Sequence, residues 1–536
     1  MKTSKIKTAS TLLIITLLLI PSVIAYGQSE EIFYCTFLGG SMPDRIRGVC
    51  LDSQGNIIVV GGTYSEDFPI LNAAQETYSG GELENAEYFS LTGEAFVAKF
   101  SPSQELLWST YLGGSDLDEG LLVLVGEEDE VIVFGVTTST DFPVTMDSNP
   151  TGREAGDQFI AMYTPDGALI GARLYVPDEI ERINDVKLDS SGNIVMGGYT
   201  SSQTMYTTED ALKHELTGET DGFVRVVTYD LETVLYSTYI GGSGSEYLGE
   251  VAVGVDGSIY ATLSTGSHDF PITENCLRSD FLGEDIDNVI IKIDSDRNLA
   301  VSTFFGGSGI DHTFDLCEGP GNSMVIVGRS WSSDYPVTSD ALQSEYSEVE
   351  VDGILTEFSA SGEELLYSTY YGRGGWDSLL QVNMDEAGRL VISGFVDSDG
   401  FETVNAFQSE YMGSTELIIM IMDGDDFELI SYLGGYYYEH PFAQKVQDGV
   451  IYLVGQTASP HFPVSEGAYQ TTHSGADDGY LWIMDYDAYL SEGHELVQGG
   501  SGWFTPGMRK YLAYGFVLGA ILVWYLYMRR SFTGGS

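Results

Sequence analysis

The hexapeptide STYLGG at residues 109–114 returns, with small changes, along most of the chain: CTFLGG from Cys35, STYIGG from Ser237, STFFGG from Ser302, STYYGR from Ser368 and ISYLGG from Ile430. Anchored on the Thr or Ser before the aromatic, the copies sit at Thr36, Thr110, Thr238, Thr303, Thr369 and Ser431, with gaps of 74, 128, 65, 66 and 62 residues. The long gap holds a degenerate copy, GARLYVPDE from Gly171, that has lost its glycines, which makes seven copies with a period of about 65. A fixed period of this kind constrains the fold more than composition does. Each unit is one supersecondary piece that must bury a face against its neighbours.

Other features keep the same period. Each anchor is followed by an alternating strand pair around an Asp/Ser/Gly turn, as in GVCLDSQGNIIVVGGT from Gly48, DVKLDSSGNIVMGGYT from Asp185 and QVNMDEAGRLVISGFV from Gln381. That is the hairpin signature. A loop with DFP or a relative comes next, at Asp67–Pro69, Asp141–Pro143, Asp269–Pro271, DYP from Asp334 and HFP from His461. A third strand follows, such as AFVAKFS from Ala95 or NVIIKID from Asn288, and the fourth ends in the hexapeptide itself. The units hold no helical stretch. The fold class is therefore all-β, a seven-bladed β-propeller of four-stranded antiparallel blades. A linear β-solenoid is the rival architecture, disfavoured because its coils are shorter. The N-terminal strand EIFYCTF from Glu31 has no hairpin before it, and the body ends on a third-type strand, GYLWIMD from Gly479. The strands add up if the N-terminal one completes the last blade; the competitor for that place is HELVQGG from His494.

These motifs together resemble the SBBP repeat proteins, seven-bladed β-propellers of bacterial and archaeal surfaces, over roughly residues 32–490. The resemblance implies the propeller architecture and an exported or surface-held body, and it brings no catalytic residues to map. The third unit departs from the pattern, with SSQTMYTT from Ser201 in place of the DFP loop.

Both ends stand outside the repeats. Lys2, Lys5 and Lys7, the apolar run from Thr11, Pro21 and small residues up to Ala25 read as a signal peptide over residues 1–25. A linker over 491–508 leads to an apolar run from Tyr511 to Met528 flanked by Arg509, Lys510, Arg529 and Arg530. This reads as a transmembrane helix over 509–530 with a cytoplasmic tail at 531–536, and so as a single-pass protein of the cell membrane with the propeller on the extracellular side. Seven of the 23 basic residues and none of the 80 acidic ones lie in these ends, so the body has a net charge of 16 − 80 = −64. Such a body repels nucleic acid. Cys35, Cys50, Cys276 and Cys317 are too few and too scattered for a disulfide framework, and one disulfide or free thiols both remain open.

The sequence carries no H-E-x-x-H, G-x-S-x-G or G-K-[ST] motif, and catalytic residues are not assigned. The DFP loops and the GGS links emerge on one face, the rim. Asp67, Asp141, Asp269 and Asp334 from the loops are candidate calcium ligands, and Asp44, Asp116, Asp118 and Asp311 from the links fall on the same rim. The alternative is that each Asp caps its own turn before Phe-Pro, as a feature repeated in blade after blade would do. Trp331 and Trp376 near the loop face, and Tyr436, Tyr437 and Tyr438 of the aromatic loop YYYEHPF, are candidate ligand contacts; that loop and the insertion from Glu76 break the repeat. The expected role is binding or adhesion at the cell surface, to a surface polysaccharide or an envelope protein. The alternatives are an extracytoplasmic carbohydrate-active enzyme and a purely structural envelope component.

Overall fold

The computed structural model describes residues 32–81, 93–145, 157–175, 181–283, 286–347, 349–424 and 426–491. The segments read as signal peptide, membrane helix and tail lie outside these residues, as do nearly all of the linker and residues 82–92 of the first insertion. Among the described residues no helix is long and apolar enough to cross a membrane.

The described strands form seven four-stranded antiparallel sheets. Blade 1 shows the pattern, running from the inner strand Asp44–Leu51 through Ile57–Thr63 and Glu94–Phe100 to the outer strand Leu106–Leu112. Neighbouring blades meet through their inner strands, which closes the ring. The last blade takes its outer strand from the other end of the chain: Phe33–Leu38 pairs with Asp478–Asp485, Phe33 opposite Met484 and Leu38 opposite Gly479. The rival strand from His494 is outside the described residues. The weak third unit is complete, with four paired strands from Glu181 to Ile240. One element was not expected. The strand Asp478–Asp485 runs into a short helix, Tyr486–Ser491, which is docked where Tyr486 Oη donates to Asp385 Oδ2 at 2.8 Å and Tyr489 Oη to the Asn405 carbonyl at 2.8 Å.

The first half of the hexapeptide ties the outer strand to the DFP loop of its own blade. Ser109 Oγ donates to the Pro69 carbonyl of the DFP loop at 2.8 Å, and Thr110 Oγ1 accepts the Gln75 N–H at 2.8 Å. Tyr111 is buried and its hydroxyl donates to the Ser65 carbonyl at 2.8 Å. The same clamp recurs from Tyr239 to Ser202 at 2.7 Å and from Tyr370 to Ser332 at 2.6 Å. Each Phe of the DFP loops goes inward, as where Phe68 lies 4.4 Å from Phe96 and Phe142 lies 4.6 Å from Phe159 between ring centres. Blade 3 holds the clamp without the motif, because Met205 takes the aromatic's place and its N–H donates to Tyr239 Oη at 3.0 Å. Ser, Thr and Tyr are thus fixed by polar pairing at a buried joint, where an unmade hydrogen bond costs about 1–3 kcal/mol.

All seven inner strands carry a bulge near their start, as between Ile46 and Gly48 or between Gly120 and Leu122. An extra residue there re-aims the side chains of the ring's innermost layer.

Candidate functional site: the mouth of the central channel

Four residues after the second glycine position of each link, or its counterpart, a buried carboxyl opens the inner strand or, at Asp377, directly precedes it: Asp44, Asp118, Glu181, Glu246, Asp311, Asp377 and Glu439. A second ring starts the third strands, at Glu94, Asp157, Asp221, Asp287, Asp352, Glu416 and Asp478, and these are buried too. Successive blades bring one acid of each ring together under the first glycine of the link. A Cβ added to Gly113 would lie 2.3 Å from Asp118 Oδ2 and 2.7 Å from Glu94 Oε1, and one on Gly241 would lie 2.2 Å from Glu246 Oε2 and 2.6 Å from Asp221 Oδ1. The glycine is there because two carboxyls fill the space. The acid holds the link in turn, with Gly40 N donating to Asp44 Oδ2 at 2.6 Å and Gly114 N to Asp118 Oδ2 at 2.8 Å. Burial pushes Asp44, Asp118, Asp377 and Glu439 up to about 7 and Glu94 up to about 8.

This corrects the rim as read from sequence. Asp44, Asp118 and Asp311 are buried beneath the links, while Asp116 alone of that group is exposed. The calcium candidates are exposed but kept apart, each tied to the link entering its own blade. Asp67 Oδ1 accepts Ser41 N at 2.8 Å and Ser41 Oγ at 2.9 Å, and Asp141, Asp269 and Asp334 do the same with Ser115, Ser243 and Ser308. These N–H donors pull the Asp67, Asp141 and Asp269 carboxyls below their usual value. Among the described residues no group of three or more His, Cys, Asp or Glu is placed to hold a metal ion. The four cysteines are free thiols.

One residue further along the inner strands the repeat disappears. The seven equivalent positions hold Arg45, Glu119, Arg182, Tyr247, His312, Ser378 and His440. At this level on the rim side of the channel, Arg45 meets Glu119 across the blade boundary at 2.6 Å, with Arg47 3.6 Å from the same carboxylate. Arg47 also lies over the Phe442 ring at 4.3 Å, and Phe442 is 4.6 Å from His440. Arg329, opposite His312 on the neighbouring strand, stacks on Phe314, Trp331 and Trp376 at 4.9, 5.0 and 5.3 Å. Burial, joined by Arg47, Arg329 and Arg45, lowers His440 to about 4, so this imidazole is neutral at physiological pH. Its Nδ1 is 2.9 Å from the Pro441 carbonyl, an acceptor, so the proton is on Nδ1 and Nε2 carries the lone pair.

Of the ligand candidates, Trp331 and Trp376 are brought together, their rings 5.8 Å apart at 88°. Tyr436 and Tyr437 stand exposed on the rim, and Tyr438 turns inward, accepting the Gln456 side-chain amide at 3.2 Å. The stretch YYYEHPF is only half a loop: from Glu439 on it is inner strand, which is how His440 and Phe442 reach the channel. Deeper in the channel a second polar group draws on four inner strands. Lys187 Nζ lies 2.9 Å from Asp185 Oδ2, which accepts Val251 N, while Asp315 Oδ2 accepts Val382 N at 2.9 Å. Burial pushes Asp315 up to about 7 and Glu250, which faces both aspartates, well above the usual range. A cleft of about 520 Å³ opens near the opposite face around Asp256, Lys292 and Ser361. It is lined by turn residues with no convergent set of functional groups.

Sequence reasoning passed over Arg45, Arg47, Glu119, Arg329 and His440. The signal was present: aligning the seven units on the acid four residues after the link exposes a column with no consensus beside it.

No family model and no curated protein matches the chain. Solved structures similar to it include a catalytically inactive virginiamycin B lyase from Staphylococcus aureus with quinupristin, at 10% identity over 84% of this chain and 99% of that one, TM-score 0.40. Polysaccharide lyase Uly1 aligns at 8% identity over 83% and 90%, TM-score 0.40, and Kuenenia stuttgartiensis hydrazine synthase at 11% over 79% and 94%, TM-score 0.39.

Proposed function

We propose that this chain is a binding module of the cell exterior, held at the membrane by residues 509–530, that takes a surface polysaccharide or an envelope protein at the channel mouth on the DFP face. One observation carries the reading. Positions that build the propeller are repeated from blade to blade, whereas the ring of positions facing the mouth holds five residue types in seven places, from Arg45 round to His440. Scaffold positions repeat because every blade solves the same packing problem, and a ring of unlike side chains presents an asymmetric surface to one ligand. Exposed Trp376, Tyr436 and Tyr437 add aromatic contact area around it. The test is a panel of defined glycans and purified envelope proteins against the full chain in detergent. Retention by at least one of them, weakened by Trp376→Ala, is expected. Failure of every ligand, or binding indifferent to Trp376→Ala and to changes around the mouth, removes the reading.

A second reading is favoured by His440, a neutral imidazole beside three arginines with an unprotonated Nε2, the state of a general base. A carbohydrate-active enzyme would turn a bound glycan over, and His440→Ala would keep binding while abolishing turnover. Unchanged glycan after prolonged incubation excludes it.

A further inference from the structure

Resting on the reading of the mouth as a glycan site, we infer that the ligand is an acidic glycan whose sugar carboxylate is received by Arg329, with Trp331 and Trp376 as the platform for the sugar ring. Cations are few in this protein. In a body with 80 acidic and 16 basic residues, a basic side chain finds a carboxylate almost anywhere, and most here do. Lys99 meets Asp52 at 2.8 Å, Lys213 meets Asp221 at 2.8 Å, Arg278 meets Asp287 at 2.6 Å, and Arg389 meets Asp385 at 2.7 Å. Arg329 does not. Among the described residues no carboxylate lies within ion-pair distance of it, and its Nε is buried with no hydrogen-bond partner. Three rings hold the guanidinium instead, and they leave its planar fork of donors without an acid.

A guanidinium stacked in a cage loses little freedom on binding and matches a carboxylate through two parallel hydrogen bonds. The local field agrees with that use. Arg45, Arg47 and Arg329 all act on His440, and Glu119 is the carboxylate that answers the first two. The mouth is thus a positive node in a strongly negative protein. The perpendicular tryptophans, with Trp376 41% exposed, offer an aromatic face beside the cation, the combination that suits a ring bearing apolar C–H faces and one carboxylate. The body's negative charge opposes a polyanion only at long range, since fields fade over about 8 Å at physiological salt.

Calorimetry on the full chain in detergent at physiological salt tests this, with hexagalacturonate, its carboxyl-reduced counterpart, and a sulfated oligosaccharide as probes. The acid is expected to bind about tenfold or more tightly than the reduced form. Arg329→Gln removes that preference, and Arg329→Lys, which keeps the charge but not the fork, restores part of it. Arg47→Gln, a change outside the aromatic cage, lowers affinity for the acid without unfolding the mouth. Equal affinity for acid and reduced forms, both weakened by Trp376→Ala, overturns the carboxylate inference and leaves the binding function standing. Preference for the sulfated probe over hexagalacturonate also overturns it. If none of the three binds, the glycan reading of the mouth falls with it.

Discussion

Two neighbouring columns of the inner strands behave in opposite ways. The first, from Asp44 to Glu439, holds Asp or Glu in all seven blades; the second, one residue on, runs Arg, Glu, Arg, Tyr, His, Ser, His. The first column is buried at the joint between blades, where the same glycine link must be held seven times. The second column faces the channel mouth, which no two blades see in the same way. A difference of one residue in sequence separates a position that closes a ring from one that addresses a ligand, because successive strand residues point to opposite sides.

The comparison breaks most severely if the ring does not need its closing strand. Removing residues 32–40 takes away Phe33–Leu38, with Phe37 and Leu38 fully buried, at a cost of several kcal/mol from about 1.5–3 kcal/mol per buried side chain. Calorimetry should show the cooperative unfolding transition lost or lowered by many degrees, with recovery when the strand is supplied as a peptide. An unchanged melt would sink the closure.

Next in size is a contrast between the joint and the mouth. Gly113→Ala drives a methyl against Asp118 and Glu94 and should destabilise by about 1–3 kcal/mol in denaturant titrations. Tyr247→Ser, at the half-exposed mouth, should change stability by no more than about 0.5 kcal/mol. Equal effects would erase the distinction between the columns.

The first column also gives the protein a pH signature. Asp44, Asp118, Asp377 and Glu439 are raised to about 7 and Glu94 to about 8, against about 4 for a carboxyl in the unfolded chain. The folded state therefore holds more protons between those limits. Their contribution to stability is complete below about pH 4 and is lost as pH rises through 7 to 8. Asp67, Asp141 and Asp269 are shifted down, so what they add is lost on acidification below the usual carboxylate range. The melting temperature should be higher at pH 5 than at pH 8, and Asp118→Asn should flatten that slope. A melt that rises steadily from pH 5 to pH 8 contradicts the buried pairs.

The smallest expected effect is on the rim. Tyr436→Ala and Tyr437→Ala remove half-exposed rings and should leave stability within about 0.5 kcal/mol while weakening ligand retention modestly. If they weaken it more than Trp376→Ala, the binding surface lies on the rim rather than at the mouth.

Most of the fold was legible, for a physical reason. A period of about 65 residues with alternating strands and Gly/Asp/Pro turns admits few ways to bury seven sheets, and the unpaired first strand chose among them. Trp331 and Trp376 were legible as aromatic contacts near the loop face. The roles of the acids were not. Asp44 and Asp67 look alike in sequence, yet one is buried under a link and the other holds a serine at the surface. Tyr436 to Phe442 read as one loop, because a proline at Pro441 hides the strand that begins at Glu439.

The number of blades, and the N-terminal strand as a candidate to close them, follow from a local pattern repeated many times. Which side chains share the channel mouth was decided by tertiary structure alone. Arg47 and Phe442 are far apart in the chain, and only ring closure, with a bulge turning each inner strand, brings the guanidinium over the ring.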